Sequence, residues 1–100
     1  MTMLLQATLG PVDVEVMRDA LTWLREESGH SAGLISLRIF RNRAEPTRLT
    51  MLEEWESAEA FETAFKSYKG DRRSKFLARL GITADGIERV LWDSTGIDLT

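Results

Sequence analysis

Residues 48–61, from Arg48 to Phe61, read RLTMLEEWESAEAF and contain both periodicities from which the fold can be inferred. In the first half of this stretch the residues alternate in the way expected when successive side chains of a strand point to opposite sheet faces. Ser57 then follows where its hydroxyl can accept a hydrogen bond from a free backbone N–H of a first helical turn. Apolar residues recur at helical spacing from Phe61 to Tyr68. The stretch therefore predicts a strand that leads directly into an amphipathic helix.

The same two patterns, strand-like alternation and helical spacing of apolar residues, divide the rest of the chain into elements. Alternation predicts strands over Met3–Leu9, Leu34–Arg41, Arg48–Trp55 and Ile87–Asp93, and helical spacing predicts helices from Asp13 to Gly29, over about Ala58–Lys69 and over Ser74–Leu80. No linker or internal repeat interrupts this order, so residues 1–100 are predicted to form a single domain. The order is that of an α+β, ferredoxin-like βαββαβ fold, in which helices cover one face of an antiparallel four-stranded sheet.

Composition excludes several classes of function. A net charge of −3 and a pI near 5.1 give no electrostatic reason to expect nucleic acid or an anionic membrane as partner. The lack of cysteine excludes disulfides and thiolate chemistry, and the single histidine, His30, lies in a predicted loop, so no metal site is expected. The chain has neither a secretory signal nor an apolar run of membrane-spanning length, and we expect it in the cytoplasm.

The face of the sheet opposite the helices is expected to be too apolar to meet water. Its predicted members are Phe40, Leu49, Met51, Trp55, Val90 and Trp92. At about 25 cal/mol per Å², covering such a patch is worth on the order of 10 kcal/mol before association costs. A second copy of the sheet would supply the cover, which predicts a face-to-face homodimer with two-fold symmetry. The tail from Ser94 to Thr100 keeps two apolar residues and is expected to dock rather than fray.

Two segments resemble the antibiotic biosynthesis monooxygenase domain family: residues 33–42, GLISLRIFRN, and residues 45–61, EPTRLTMLEEWESAEAF. The likeness lies in the glycine before strand two, the proline in the hairpin, and the spacing of Glu53, Trp55, Ser57 and Phe61. It covers about the middle third of the chain, and the remainder is similar through element order. The resemblance implies a dimeric α/β barrel. Some members oxidise aromatic polyketide-type or quinol substrates with dioxygen and without a cofactor, and others degrade haem.

Haem degradation is disfavoured by the residues that come after the shared motif. Haem-degrading members carry a second tryptophan and a histidine on and after helix two. Ala64 lies near the position of that tryptophan here, and no histidine occurs beyond His30. The resemblance to the other members therefore implies a protein that needs no cofactor.

A pocket between the sheet and its helices, lined by aromatic side chains and a few polar groups, is the expected site. The candidate catalytic residues are Arg38, Glu53 and Trp55, and the candidate substrate-binding residues are Gln6, Phe65, Tyr68 and Trp92. A structural ion pair is the favoured interpretation of Arg38 and Glu53. In the alternative, Arg38 stabilises a substrate enolate or phenolate while Glu53 or a water acts as base.

The aromatic candidates also have simpler interpretations. Ordinary packing is favoured for Trp55 and Phe65, and for Tyr68 a phenol that reaches water is favoured over one that orients a substrate. Two functions stay open. The first is a cofactor-independent monooxygenase that deprotonates a small phenol or hydroquinone, whose anion then reacts with dioxygen. The second is a small-ligand-binding homodimer without catalysis.

Overall fold

Four strands and three α-helices follow one another in the order predicted from the sequence. A computed structural model describes the whole chain, residues 1–100. Its elements are β1 (Met3–Leu9), α1 (Val14–Ser28), β2 (Leu34–Arg41), β3 (Leu49–Trp55), α2 (Ala58–Tyr68), α3 (Asp71–Leu80), a 3-10 turn over Ala84–Gly86, and β4 (Glu88–Asp93). The α+β, ferredoxin-like βαββαβ fold is confirmed. The largest boundary difference is at α3, which begins three residues before the predicted Ser74: Asp71 lies inside its first turn and pairs with Lys75 at 3.1 Å. β3 and β4 each begin one residue later than predicted.

The sheet has the strand order β2-β3-β1-β4, and every neighbouring pair is antiparallel. The central strand β1 buries alternate residues, Met3, Leu5, Ala7 and Leu9, against the helices. Side chains directly opposite one another on paired strands share a face. The register with β1 therefore decides which residues of the other strands lie under the helices.

That register corrects the predicted composition of the uncovered face. Trp55 lies opposite Met3, Met51 opposite Ala7 and Leu49 opposite Leu9, so these three β3 residues face the helices. The prediction that they belong to the uncovered face was wrong. Both faces of β3 carry apolar residues, and alternation alone cannot tell which set is covered.

The uncovered face contains the other three predicted apolar residues. Phe40, Val90 and Trp92 are 43%, 42% and 51% exposed. Polar contacts accompany them: the Trp92 indole donates to Gln6 Oε1 at 3.1 Å, and the Arg38 guanidinium lies 4.9 Å from the centroid of the Phe40 ring. We call this surface the bare face; it also includes Thr8, Thr50 and Leu52.

Two separate apolar clusters fill the space between sheet and helices. The larger lies under α1 and α3 and contains Leu9, Val12, Met17, Ala20, Leu49, Phe76, Leu77 and Leu80. The smaller lies under α2 and contains Met3, Leu5, Trp55 and Phe61. The helix-facing positions of β1 and β3 that fall between the two clusters are Ala7, Met51 and Glu53.

Gly33 allows α2 to approach the start of β2 closely. A Cβ atom at Gly33 would lie only 2.6 Å from Cβ of Ala60, and the residue has a φ of +88°, a backbone conformation that favours glycine. The close approach brings the first turn of α2 against the sheet next to Trp55.

The C-terminal tail does not dock on its own chain. Ile97 and Leu99 are 74% and 94% exposed, and the first tail residue, Ser94, donates its backbone N–H to the carbonyl of Thr2 at 3.0 Å. The predicted docking of the tail is therefore wrong within this chain. No helix combines the length and the apolar character needed to cross a bilayer.

Candidate functional site

A cleft of about 250 Å³ opens between α2 and the edge strand β4. Its walls are Phe61 and Phe65 from α2, and Arg89 and Leu91 from β4. Ser57 fixes the start of α2 by accepting a hydrogen bond from the backbone N–H of Ala60 at 3.1 Å. Phe61 and Phe65 then fall one turn apart on the same side of the helix. The cleft exists because the outer part of β4 is not covered by a helix, which leaves Leu91 58% exposed.

A continuous series of aromatic rings runs behind the cleft from β3 along α2 to α3. Trp55 meets Phe61 edge to face, with ring centroids 5.8 Å apart, and Phe61 stacks on Phe65 at the same distance. Phe65 contacts Tyr68 at 6.1 Å, and Tyr68 contacts Phe76 at 6.2 Å. All four distances lie in the favourable range for aromatic pairs. The series joins the two apolar clusters and gives the cleft an aromatic wall.

Glu53 is a largely buried carboxylate on the helix side of the sheet. Its neighbours on the adjoining strands are Leu5 and Leu37, and it takes part in none of the ion pairs of the chain. The indole of Trp55 donates a hydrogen bond to Glu53 Oε1 at 2.9 Å. Burial raises the pKa of the Glu53 carboxyl, and the hydrogen bond from Trp55, which favours the charged form, opposes part of that rise.

A carboxylate in this environment suits proton transfer. A raised pKa brings the group closer to neutral pH, where a general base is most effective. Glu53 does not line the cleft itself. It is connected to the cleft through Trp55, whose ring touches the wall residue Phe61.

Tyr68 lies at the junction of α2 and α3 and is half-buried. Burial raises the pKa of the Tyr68 phenol, and the positive charge of Arg73 opposes this rise. The negative charge of Glu53 adds to the rise in that pKa, and the positive charge of Arg89 opposes it. The phenol therefore stays protonated at neutral pH. The charges of Arg73, Glu53 and Arg89 all lie close enough to the Tyr68 phenol to affect its titration.

The structure brings together four of the seven residues selected from the sequence. Glu53, Trp55, Phe65 and Tyr68 all lie on the helix side of the sheet, at or behind the cleft. The other three, Gln6, Arg38 and Trp92, lie on the bare face, which corrects their predicted place in a pocket between sheet and helices.

The predicted pairing of Arg38 with Glu53 was also wrong. The register places Arg38 opposite Leu52 and Glu53 opposite Leu37, so the two charged side chains point to opposite faces of the sheet. Sequence reasoning missed Arg89 and Leu91 as cleft residues. Their alternation with Val90 already put them on one face of β4, but only the pairing of β4 with β1 reveals that this face is the helix side.

A second, wider hollow of about 510 Å³ lies between α1 and α3, away from the aromatic series. Its lining residues are Trp23, Glu27, Lys75, Ala78 and Arg79. The guanidinium of Arg79 lies 4.3 Å from the centroid of the Trp23 ring. Most of these side chains are exposed, and the hollow has no counterpart of Glu53, the largely buried carboxylate that is connected to the cleft through Trp55, so the cleft beside α2 is the better candidate site. No three His, Cys, Asp or Glu side chains are grouped closely enough to hold a metal ion.

Comparison with known proteins identifies the family. The sequence profile of the antibiotic biosynthesis monooxygenase family matches residues 11–80. Comparison with curated proteins gives no significant match.

Several solved structures share the fold. A conserved protein from Methanosarcina mazei Go1 is 20% identical with a TM-score of 0.66, covering 92% of this chain and 91% of that one. A candidate antibiotic biosynthesis monooxygenase from Caulobacter crescentus CB15 is 17% identical with a TM-score of 0.68, covering 94% and 90%. One from Nitrosomonas europaea is 15% identical with a TM-score of 0.65, covering 94% and 91%. At these identities the likeness establishes the fold alone. Because the family profile spans well over half of the chain, the protein belongs to the antibiotic biosynthesis monooxygenase family.

Proposed function

We propose that the protein is a cofactor-independent monooxygenase that oxidises a small phenol- or hydroquinone-type aromatic with dioxygen in the cleft between α2 and β4. Family membership supports monooxygenase chemistry in general. The observation that carries the specific proposal is Glu53, a largely buried carboxylate with a raised pKa, hydrogen-bonded to Trp55 directly behind an aromatic wall. Such a wall would hold a flat substrate and exclude water from the reacting anion.

In the proposed reaction Glu53, acting through a bound water, accepts the proton of a substrate hydroxyl. The resulting electron-rich anion transfers electrons to dioxygen. For a hydroquinone that bears a ring C–H, a C–O bond forms at that carbon and the C–H bond breaks, giving a hydroxyquinone. One oxygen atom of dioxygen stays in the product and the other leaves as water. The substrate supplies all four electrons, so the scheme needs no external reductant.

The second candidate is a homodimer that binds a small ligand without converting it. A specific observation favours it: Glu53 does not line the cleft, and Trp55 and Phe61 are only 4% and 9% exposed, as ordinary core residues are. In this case the aromatic series is packing, and the cleft is only a binding surface.

Oxygen uptake separates the two functions. The protein is mixed with a panel of hydroquinones and anthrones under labelled dioxygen, and both oxygen consumption and the label in the product are measured. One labelled oxygen atom in each product molecule, above the uncatalysed rate, supports the monooxygenase. Aromatic binding measured by calorimetry without any enhanced uptake across the panel would overturn the enzyme and leave the binding protein.

We also propose that the protein is a homodimer that packs through the bare face, and that it acts in the cytoplasm. The support is the apolar character of that face, where Phe40, Val90 and Trp92 are each about half exposed in a single chain. A second copy would bury the same patch on both protomers. The helix-side cleft lies on the opposite face of the sheet, so this packing would leave it accessible.

A further inference from the structure

Arg89 is the one charged wall residue of the cleft, and it forms no ion pair within the chain. The guanidinium carbon lies 4.9 Å from the centroid of the Phe65 ring. The ion pairs of the protein join Arg18 to Glu15 and Asp19, Arg48 to Glu88, and Lys75 to Asp71. Arg89 takes part in none of them and donates no side-chain hydrogen bond to another residue. It is therefore a cation at the edge of an apolar cleft with all its N–H donors free.

The stacking on Phe65 determines how those donors can be used. A guanidinium that lies on an aromatic ring keeps its planar edge available, and that edge presents parallel N–H groups in a fork that matches two oxygens of an anion. Phe61 and Leu91 complete the apolar wall beside it. A flat aromatic ligand packed on this wall would have its anionic substituent beside the guanidinium.

Most charges around the cleft also favour an anion; the carboxylate of Glu53 acts on the same Tyr68 phenol as Arg89 but forms no ion pair with it. The chain as a whole is acidic, with a net charge of −3, so the positive charge at this position is local rather than a property of the entire surface. The nearest acidic residue in sequence, Glu88, points to the other sheet face, where it pairs with Arg48 at 3.6 Å. Arg73 is also close enough to Tyr68 to act on its titration. The positive charges of Arg73 and Arg89 thus act on the same Tyr68 phenol.

We propose that Arg89 is the anion-binding, specificity-determining residue of the cleft, and that the ligand is a flat aromatic carrying a carboxylate or a phenolate. This inference rests on the proposed function for the identity of the cleft as the substrate site, but it concerns binding and is measured without turnover. Both possible ligands are aromatic anions, and separate probes for a carboxylate and for a phenolate show which of the two groups is bound.

The experiment measures dissociation constants by calorimetry for two matched pairs of probes. 2-Naphthoate is compared with neutral 2-naphthamide, and 4-nitrophenol, ionised in mildly alkaline buffer, is compared with 4-nitroanisole. The proteins are the wild type, Arg89→Gln, Arg89→Lys and the matched control Arg79→Gln. Arg79 is a suitable control because its guanidinium also lies over an aromatic ring, that of Trp23, and neither residue lines the cleft. Circular dichroism verifies that each variant folds.

We expect the wild type to bind at least one anionic probe about tenfold or more tightly than its neutral partner, the range of a charge-assisted hydrogen bond. Arg89→Gln should abolish that preference, Arg89→Lys should retain only part of it because the fork is lost, and Arg79→Gln should keep it. A preference confined to one probe pair identifies the source of the charge. Equal binding of anionic and neutral probes by the wild type, or an unchanged preference in Arg89→Gln, would overturn the inference.

The outcomes also separate this inference from the proposed function. Oxygen uptake without any preference for anions would leave the monooxygenase standing and refute the role of Arg89. An Arg89-dependent preference without oxygen uptake would establish the anion site and refute the enzyme.

Discussion

Trp55 and Glu53 lie two residues apart on β3, and the indole N–H of Trp55 donates a 2.9 Å hydrogen bond to the carboxylate of Glu53. Residues i and i+2 of a strand share a face, so both side chains enter the interior beneath the helices. The bond gives this largely buried carboxylate its one hydrogen bond from a side chain. Burial and this contact act on the Glu53 pKa in opposite directions, and burial is the stronger of the two.

The first prediction concerns stability. Glu53 binds its proton more tightly in the folded chain than in the unfolded one, because burial raises its folded pKa. Below the ordinary carboxyl pKa both states hold the proton. As pH rises from there through the folded pKa, the unfolded chain loses its proton first, and the free energy of unfolding falls. Glu53→Gln removes this loss because the amide stays neutral and still accepts the bond from Trp55.

The variant should therefore be more stable than the wild type above that pH window and nearly as stable below it. Urea unfolding at acid and neutral pH measures the difference. The matched control is Glu62→Gln, at an exposed position of α2, which should give no such gain. A Glu53→Gln protein that is less stable than the wild type at neutral pH would contradict the account of Glu53 as a carboxylate destabilised by burial.

The second prediction concerns turnover. If Glu53 is the base, Glu53→Gln should lower kcat by about a hundredfold or more, the usual contribution of general base catalysis. Affinity for the aromatic substrate should change little, because Glu53 does not line the cleft. Steady-state oxygen uptake gives kcat and KM, and Glu62→Gln again serves as control. An unchanged kcat in Glu53→Gln would remove Glu53 from the mechanism.

The third prediction concerns assembly. Val90 and Leu91 are neighbours on β4, but Val90 belongs to the bare face and Leu91 to the cleft. Val90→Asp should convert a dimer into monomers, since two-fold packing would bury two unpaired charges at the interface. Leu91→Asp should leave the dimer intact, although Leu91 is the more exposed of the two at 58% against 42%. Light scattering at micromolar concentration measures the mass, and a wild-type monomer would refute the proposed interface.

The fourth prediction concerns the close approach of α2 to the sheet. Gly33→Ala should cost about 1–3 kcal/mol of unfolding free energy from backbone strain, with a further cost from the 2.6 Å contact with Ala60. Gly29→Ala is the matched control, because Gly29 also has a positive φ, +71°, but open space where a Cβ would lie. The difference between the two variants isolates the contact with Ala60. Equal losses in denaturant titrations would mean that the contact relaxes without cost.

Much of the architecture could be predicted from the sequence because the decisive signals are local. Ser57 as the cap of α2, the helical recurrence of Phe61 and Phe65, and the alternation within each strand all depend on residues a few positions apart. The predicted start of α3 at Ser74 was three residues late because the cap position is occupied by Gly70, which has no side chain that could mark the helix start in the sequence.

The site was predicted only in part because its assembly depends on pairing between strands. Leu52 makes the second face of β3 apolar as well, so the sequence of β3 alone does not reveal which face is covered. The same ambiguity produced the mistaken pair of Arg38 and Glu53. Arg89 contacts Phe65 because β4 lies at the edge of the sheet beside α2. The spacing of residues within β4 or α2 does not reveal this contact between distant parts of the chain.

The division of the interior into two clusters has a dynamic consequence. The cluster beneath α1 and α3 has eight buried members and the cluster beneath α2 has four, so detaching α2 exposes less apolar surface than opening the other helices. Amide protons of α2 should accordingly exchange with solvent deuterium sooner than those of α1. Each local detachment of α2 would lift Phe61 and Phe65 off the sheet and open a transient path from solvent to Glu53 while the remaining structure stays intact.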